Sequence, residues 1–369
     1  MHRKIRTLEG CKNKNKKRSG HHKTKKQTKS LPHFDRSYMY VGIDVHKEFL
    51  QVAMMDKKGK IVFNERVDRD NDEVKKFFLK NVPKSAKCIM ESSSVWYGLF
   101  TFMTKDLKLD VSLSNPYQTK AIASSKKKTD KIDAMILADL YRGGYIALCH
   151  VPTKIVVEWR RLVRHRHWSV QMRTSEKNAI HGILLQEGIK IASTTFTQKY
   201  NESLHFIGDY RIDDHLEAID SYDRLIAKTN KRIYQIARSN KQIQLLKTIP
   251  GIGDYSALVI IAEIDDVRRF SDSHRLCSYA GLVPSVRNSA DMVKHGRITK
   301  RGSRMMRWIL SEAVRTHVRC APKSNVTRFY KRLARKKGTG KATVATASKM
   351  LRVIYWMLKE SKEFESNYS

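Results

Sequence analysis

Four acidic residues sit where acids are unusual. Asp44 lies inside the apolar run Tyr40-Val41-Gly42-Ile43-Asp44-Val45, and Glu91 ends a second one, Cys88-Ile89-Met90-Glu91. A carboxylate in such a strand is costly to bury unless it is paired or bound to a metal. Asp130 and Asp133 stand three apart in Lys128-Thr129-Asp130-Lys131-Ile132-Asp133-Ala134, a spacing that puts both on one face of a helix. Four convergent carboxylates suit a pair of hard divalent cations, Mg2+ or Mn2+, which take oxygen ligands. Two such ions about 4 Å apart stabilise both the attacking and the leaving oxygen of an in-line phosphoryl displacement. Singly, each acid has a blander reading: a strand Asp is often an edge residue, and a helical Asp-x-x-Asp is usually solvated. A second candidate follows Tyr279-Ala280-Gly281-Leu282-Val283-Pro284. There a polar loop, Ser285 to His295, holds Ser285 and Ser289, and Arg297, Lys300, Arg301, Arg304 and Arg307 come after it. A loop serine before a basic helix can be a nucleophile whose phosphoester the cations hold. A helix cap or a solvated loop residue gives the same pattern.

The acids converge only if a sheet and a helix bring them together. Tyr40–Val45, Phe49–Met54, Ile61–Phe63, Cys88–Glu91 and Val111–Leu113 read as strands, with a turn at Lys58-Gly59. Residues 71–80, 96–107 and 118–142 read as helices, the last stopped by Gly143-Gly144. This order implies an α/β unit with a mixed sheet. Residues 153–246 read as helical, interrupted around 188–210. Ile219, Ile226, Ile233 and Asn240 recur every seven residues, with Tyr222, Thr229, Ile236 and Ile243 as companions. That pattern fits a coiled coil with one polar position, folded back on residues 155–187 or formed between subunits, and equally an ordinary amphipathic helix. Residues 247–352 read as mostly helical. Thr248-Ile249-Pro250-Gly251-Ile252-Gly253 precedes a helical run, Ser256 to Ile264. This is a helix-hairpin-helix pattern in which Gly251 and Gly253 let the backbone approach a phosphate; the plain alternative is a glycine turn. The expected organisation is a basic disordered tail (1–37), an α/β catalytic domain (38–150), a helical coiled-coil linker (151–246) and a mostly α C-terminal domain (247–369).

Charge narrows the function classes. Of 369 residues, 73 are Lys or Arg and 36 are Asp or Glu, a net charge of +37. Such an excess opposes compaction unless a polyanion neutralises it, which excludes an ordinary metabolic enzyme and leaves nucleic-acid partners or a ribosomal-type structural protein. Residues 1–37 carry 13 Lys/Arg against Glu9 and Asp35, and residues 294–352 carry 18 against Glu312 alone. The cysteines, Cys11, Cys88, Cys149, Cys277 and Cys320, form no CxxC pair or zinc spacing. No signal-peptide core is evident, and the run Ala257 to Ala262 is too short to span a bilayer. The expected location is therefore the cytoplasm, at the nucleoid, with no membrane partner.

Taken together, these stretches resemble the DEDD transposases of bacterial and archaeal insertion sequences, the insertion-sequence one-ten group, whose members include bridge-RNA-guided recombinases. The resemblance runs over roughly residues 38–320. It rests on Val41 to Lys47, Met90-Glu91-Ser92-Ser93, Asn115-Pro116, Thr129 to Ala134, Ile249 to Gly253, Phe270-Ser271, Tyr279 to Pro284 and Gly296 to Gly302, in that order. It implies a RuvC-like N-terminal domain of RNase H fold with metal ligands at Asp44, Glu91, Asp130 and Asp133. It also implies a coiled-coil segment that supports dimerisation, and a C-terminal transposase domain whose covalent nucleophile falls on Ser289. Ala290 stands where the family commonly has Gly, and the long Lys-rich tail also departs from the pattern. DNA, as donor and target, and a noncoding guide RNA are the implied partners of a homodimer or tetramer. The rivals are a RuvC-like junction-resolving nuclease that uses water, and an inactive nucleic-acid-binding derivative. The charge makes one prediction for all of these. With at least six phosphates contacted, affinity for duplex DNA falls by about 10³-fold or more between 50 and 200 mM salt, checked by fluorescence anisotropy; a flat salt profile contradicts a phosphate-binding role.

Overall fold

The computed structural model describes residues 39–92, 95–122, 129–190, 196–289 and 292–366. The basic segment 1–37 lies outside them. The chain divides into two compact units between Val151 and Pro152.

The first unit is a mixed five-stranded sheet with helices on both faces. Its strands are β1 (Tyr40–Val45), β2 (Phe49–Met55), β3 (Ile61–Asp68), β4 (Lys87–Glu91) and β5 (Asp110–Ser114), in spatial order β3-β2-β1-β4-β5. β1 and β2 pair antiparallel, as do β2 and β3; β1, β4 and β5 run parallel. Side-chain alternation assigns the two faces. Val41, Ile43 and Val45 pack with Val74 and Phe78 of α1 (Asn71–Asn81) and with Leu99 of α2 (Trp96–Thr101). Tyr40 turns to the other face and packs with Ile89, Leu137 and Tyr141; Leu137 and Tyr141 belong to α4 (Asp130–Arg142). This sheet is compatible with the RNase H-like arrangement that the resemblance implies.

The helix expected over 118–142 is two helices, α3 (Pro116–Ile122) and α4, with residues 123–128 outside the described ones. Thr129 sets the break: its backbone is extended and its side chain accepts from the Ile132 amide, so it caps a new helix. α4 then lies unusually close to the sheet. A Cβ on Gly42 would come within 2.1 Å of the Ala134 carbonyl oxygen and 2.6 Å of the Ala138 nitrogen.

The second unit is mostly helical. α5 (Lys154–Gln186) packs along α7 (Tyr210–Ser239), with the short α6 (Gln198–His205) between them in sequence. Ile219, Ile226, Thr229 and Ile233 are buried while Tyr222 and Ile236 are half-buried, a pattern that a heptad seam and an ordinary amphipathic helix share. Asn240 is not a polar position in that seam. It ends α7, and its side chain accepts from the Ile243 amide to cap α8 (Lys241–Lys247). At the centre is α9 (Asp254–Ile264), buried from Ala257 to its end and packed by α5, α7, α8 and α11 (Arg304–Cys320). α10 (Ser273–Tyr279), α12 (Asn325–Lys337) and α13 (Thr339–Glu360) complete the helices. The expected polar loop at 285–295 is instead part of an antiparallel ribbon, β6 (Pro284–Ser289) and β7 (Met292–Ile298). Its many polar and charged residues give no apolar alternation from which a strand could be read. Among the described residues no helix is long and apolar enough to cross a membrane.

The close approach at Gly42 predicts that Gly42→Ala destabilises the first unit by roughly 1–3 kcal/mol, as backbone cannot yield to an added methyl as a flexible side chain would. Chemical denaturation of the full chain checks this, and an unchanged midpoint contradicts the close approach.

Candidate active site

The register of the sheet brings the first two acids side by side. The parallel pairing of β1 with β4 ends at Ile43 opposite Met90, so Asp44 and Glu91 each come one residue later, at the carboxyl ends of adjacent strands. Gly42 and Asp44 point to the α4 side of the sheet. α4 contributes the other two acids from its first turn, where the helix dipole favours negative charge. A further tie holds this turn to the sheet. Gln51, opposite Asp44 on β2, donates to the Asn64 side chain (2.6 Å), and Asn64 in turn donates to the Lys131 carbonyl (2.9 Å). The result is a cavity of about 390 Å³ lined by Asp44, Val45, His46, Glu91, Thr129, Asp130 and Asp133. All four acids singled out in the sequence therefore face one space.

The electrostatics there are strained in the way a cation would relieve. Burial pushes the Asp44 carboxyl above its ordinary range; His46 opposes this, while Asp133 and Asp130 add to it by repulsion. Ligand atoms of Asp44, His46 and Asp130 lie within 4.8 Å of one another, close enough to share one ion. The donor set, oxygen-rich and half-buried, fits a hard divalent cation. His46 was not among the acids first singled out. Its signal was present, since two residues beyond Asp44 it falls on the same face of an extended chain.

The C-terminal residues are gathered differently. Two glycines interlock: a Cβ on Gly281 would meet the Arg301 carbonyl oxygen at 2.3 Å, and one on Gly302 the Tyr279 carbonyl oxygen at 1.9 Å. Both have positive φ, 70° and 114°. The Gly281 and Gly302 motifs thus fix one crossing of backbone in front of α11. Arg307 braces it, donating to the Ala280 and Gly302 carbonyls at 3.0 Å each. Arg297, Lys300, Arg301 and Arg304 are exposed around it. Arg304 also lines a cavity of about 700 Å³ with Arg160, Arg164, His167, Glu263 and Trp308. Ser285 is half-buried at the start of the ribbon. Ser289 ends β6, paired with Met292; its side chain and Ala290 lie outside what is described.

The turn at Gly251 serves packing. With φ at +94° its missing Cβ would strike the His317 amide nitrogen at 2.7 Å and the Ala313 carbonyl oxygen at 3.0 Å, so glycine lets the turn rest on α11. The Gly253 amide donates to Ser256 Oγ at 2.9 Å. Asp254 in the first turn of α9 pairs with Lys247 at 2.7 Å, placing a carboxylate where a phosphate was expected. His317, fully buried, holds the turn from below: Nδ1 contacts the Pro250 carbonyl at 2.7 Å and Nε2 contacts Ser324 Oγ at 2.7 Å. Because a carbonyl only accepts, Nδ1 carries a proton, while Ser324 Oγ, beside Nε2, donates to Thr327 Oγ1 at 3.1 Å. Burial lowers the His317 pKa from 6.5, with the Pro250 carbonyl opposing that shift.

Two sequence models of known families match the chain. One, of the DEDD transposases of IS110 type and described as "Transposase", covers residues 41–188; the other, "Transposase IS116/IS110/IS902 family", covers 243–331. The chain is 25% identical to the transposase for insertion sequence element IS1111A of Coxiella burnetii, over 88% of this chain and 90% of the relative. It is 24% identical to a probable family 20 transposase of Pseudomonas aeruginosa, over 86% and 96% respectively. It is also 25% identical to the pilin gene-inverting protein of Moraxella bovis, over 69% and 74%.

One prediction concerns His317. Below about pH 6.5 the unfolded chain binds a proton that the folded one refuses, so stability falls as pH drops from there toward the lower folded value, and this residue has no effect above it. Urea midpoints at pH 7 and pH 5 should drop in the native chain and drop less in His317→Gln; equal slopes contradict a neutral buried imidazole.

Proposed function

The chain belongs to the IS110 family of DEDD transposases, and on that premise we propose that it moves an insertion sequence by cutting DNA strands and joining them to new partners through a covalent serine ester. The observation that carries this reading is the convergence of Asp44, Glu91, Asp130 and Asp133 on one cavity. Those four carboxylates would hold divalent cations, Mg2+ or Mn2+, which when bound neutralise charge on the phosphoryl oxygens of the DNA. The family pattern assigns the nucleophile to Ser289, which ends β6 opposite Met292; the other end of the ribbon, where Pro284 pairs with Ile298, leads on to the basic start of α11.

In this reading Ser289 Oγ loses its proton and bonds to phosphorus as the phosphorus–oxygen bond to one strand end breaks, releasing that end as a hydroxyl. The serine ester retains the energy of the broken bond. A hydroxyl from a new partner then displaces the serine, and no external energy source is needed. The gene-inverting relative favours this conservative route, because an inversion must rejoin every strand it cuts. Arg297, Lys300, Arg301 and Arg304 hold DNA or RNA backbones, and Arg307 shapes the loop that presents them. Gly251 and Gly253 belong to the turn before α9 in the same unit; the close packing of Gly251 on α11 supports a scaffold role for that glycine, and Gly253 leaves open space for a backbone phosphate. α5 and α7 pair within one chain, and a homodimer or tetramer is carried by the family resemblance alone. Choice of donor and target falls to a noncoding RNA that pairs with each, while the protein holds backbones; sequencing RNA copurified with the chain tests that part.

The activity has a direct test. Asp44→Ala and Ser289→Ala each lower strand exchange on an insertion-sequence junction by at least about 10³-fold while duplex binding changes less than twofold. If Ser289→Ala still exchanges strands, the serine assignment is wrong. If Asp44→Ala does, the acidic site is not the catalytic one.

A further inference from the structure

The acidic cavity has a nitrogen donor among its oxygens. We propose that His46 is itself a ligand of the cation, through Nε2, and that this imidazole tilts the site toward first-row transition ions over Mg2+. The proposal rests on the reading of the acidic cavity as a metal site.

Spacing is the first argument. Nε2 of His46 lies 3.1 Å from Asp44 Oδ2 and 3.4 Å from Asp130 Oδ1. Adjacent donors on one octahedral ion with bonds near 2.1 Å stand about 3 Å apart, so Nε2 already has the separation of a neighbouring donor from each acid, and the three ligand atoms lie within 4.8 Å of one another. A histidine that only oriented Asp44 would need one of these contacts. His46 faces both acids, one from β1 and one from α4.

The second argument is that the ring is held before any ion arrives. It stacks on Phe49 with centroids 4.4 Å apart and planes 18° from parallel. The His46 amide donates to the Phe49 carbonyl at 3.0 Å, closing the turn between β1 and β2. Arg69 donates to the His46 carbonyl at 3.3 Å. Backbone and ring are thus fixed with Nε2 turned into the cavity, which lowers the ordering needed on binding.

The third argument concerns selectivity. Four carboxylates alone suit Mg2+ and Mn2+ alike. An imidazole adds a donor that Mg2+ uses poorly and transition ions use well. The site is then one in which Mn2+ or Co2+ outcompetes Mg2+ at equal concentration.

Mn2+ is the probe, because it reports bound nitrogen without any turnover. The full chain is loaded with one equivalent of Mn2+ and examined by electron spin echo envelope modulation, beside His46→Ala, His46→Gln and Asp44→Asn, with Mn2+ affinities measured against competing Mg2+. The expected result is nitrogen modulation in the native chain that is lost in both His46 variants, with Mn2+ affinity down about tenfold and Mg2+ affinity nearly unchanged. Binding that depends on Asp44 with no nitrogen modulation, or with modulation that survives in the His46 variants, overturns the ligand role and leaves the acidic site standing. Binding indifferent to Asp44→Asn overturns the acidic site, and the proposal with it.

Discussion

The contact between α4 and the sheet at Gly42 is the constraint on which the acidic site depends. A glycine on β1 lets the helix backbone come down to the distance at which an added Cβ would meet the Ala134 oxygen at 2.1 Å. Ala134 follows Asp133, and Asp130 is one turn earlier. The same glycine is two residues before Asp44, on the same face. One close approach therefore sets the distance between the strand acid and the helix acids. The Gln51–Asn64–Lys131 chain of hydrogen bonds fixes the helix start from the other side. Thr129 makes that start abrupt, so the acids sit in a first turn whose dipole offsets part of their mutual repulsion. Burial is the main cause of the raised Asp44 carboxyl, with repulsion from Asp133 and Asp130 adding to it, and a bound cation would offset both.

The C-terminal unit uses glycine for the same end in a different place. Gly281 and Gly302 allow two stretches of backbone to cross in contact, and Arg307 ties the crossing to the start of α11. Lys300 and Arg301, on irregular backbone, are thereby held in place between Arg297 on β7 and Arg304 on α11. Gly251 performs a third such service between the α8–α9 turn and α11. The buried His317 network beneath it is polar but satisfied at both ring nitrogens, as a buried imidazole must be.

Much of this was legible in the chain. The apolar alternation of Tyr40 to Val45 marks a central strand, and an acid inside it marks a site, because burial without a partner would be too costly. Asp130 and Asp133 are legible from their spacing. His46 was within reach on the same face and was passed over, since a lone histidine carries little weight until its neighbours are known. Gln51 and Asn64 could not be read, because their bond depends on cross-strand register. The ribbon of β6 and β7 reads as a loop in the sequence because few of its residues are apolar. Asn240 kept a heptad spacing by coincidence and turned out to be a cap. The glycines at 251, 281 and 302 were visible as motifs, but the reason for each is another segment's backbone, which sequence does not reveal. At Gly251 the close approach to α11 accounts for the glycine, and Asp254 in the turn that follows pairs with Lys247.

The central claim is that two constellations far apart in the chain serve one reaction, with an ester on serine as its intermediate. Its most direct measurement is peptide mapping by mass spectrometry of the protein–DNA adduct trapped on a nicked donor junction, with and without divalent metal. A phosphodiester-linked nucleotide is expected on the peptide that contains Ser289, formed only when metal is present. An adduct on another residue, or cut DNA with free phosphate ends and no adduct at all, would contradict it.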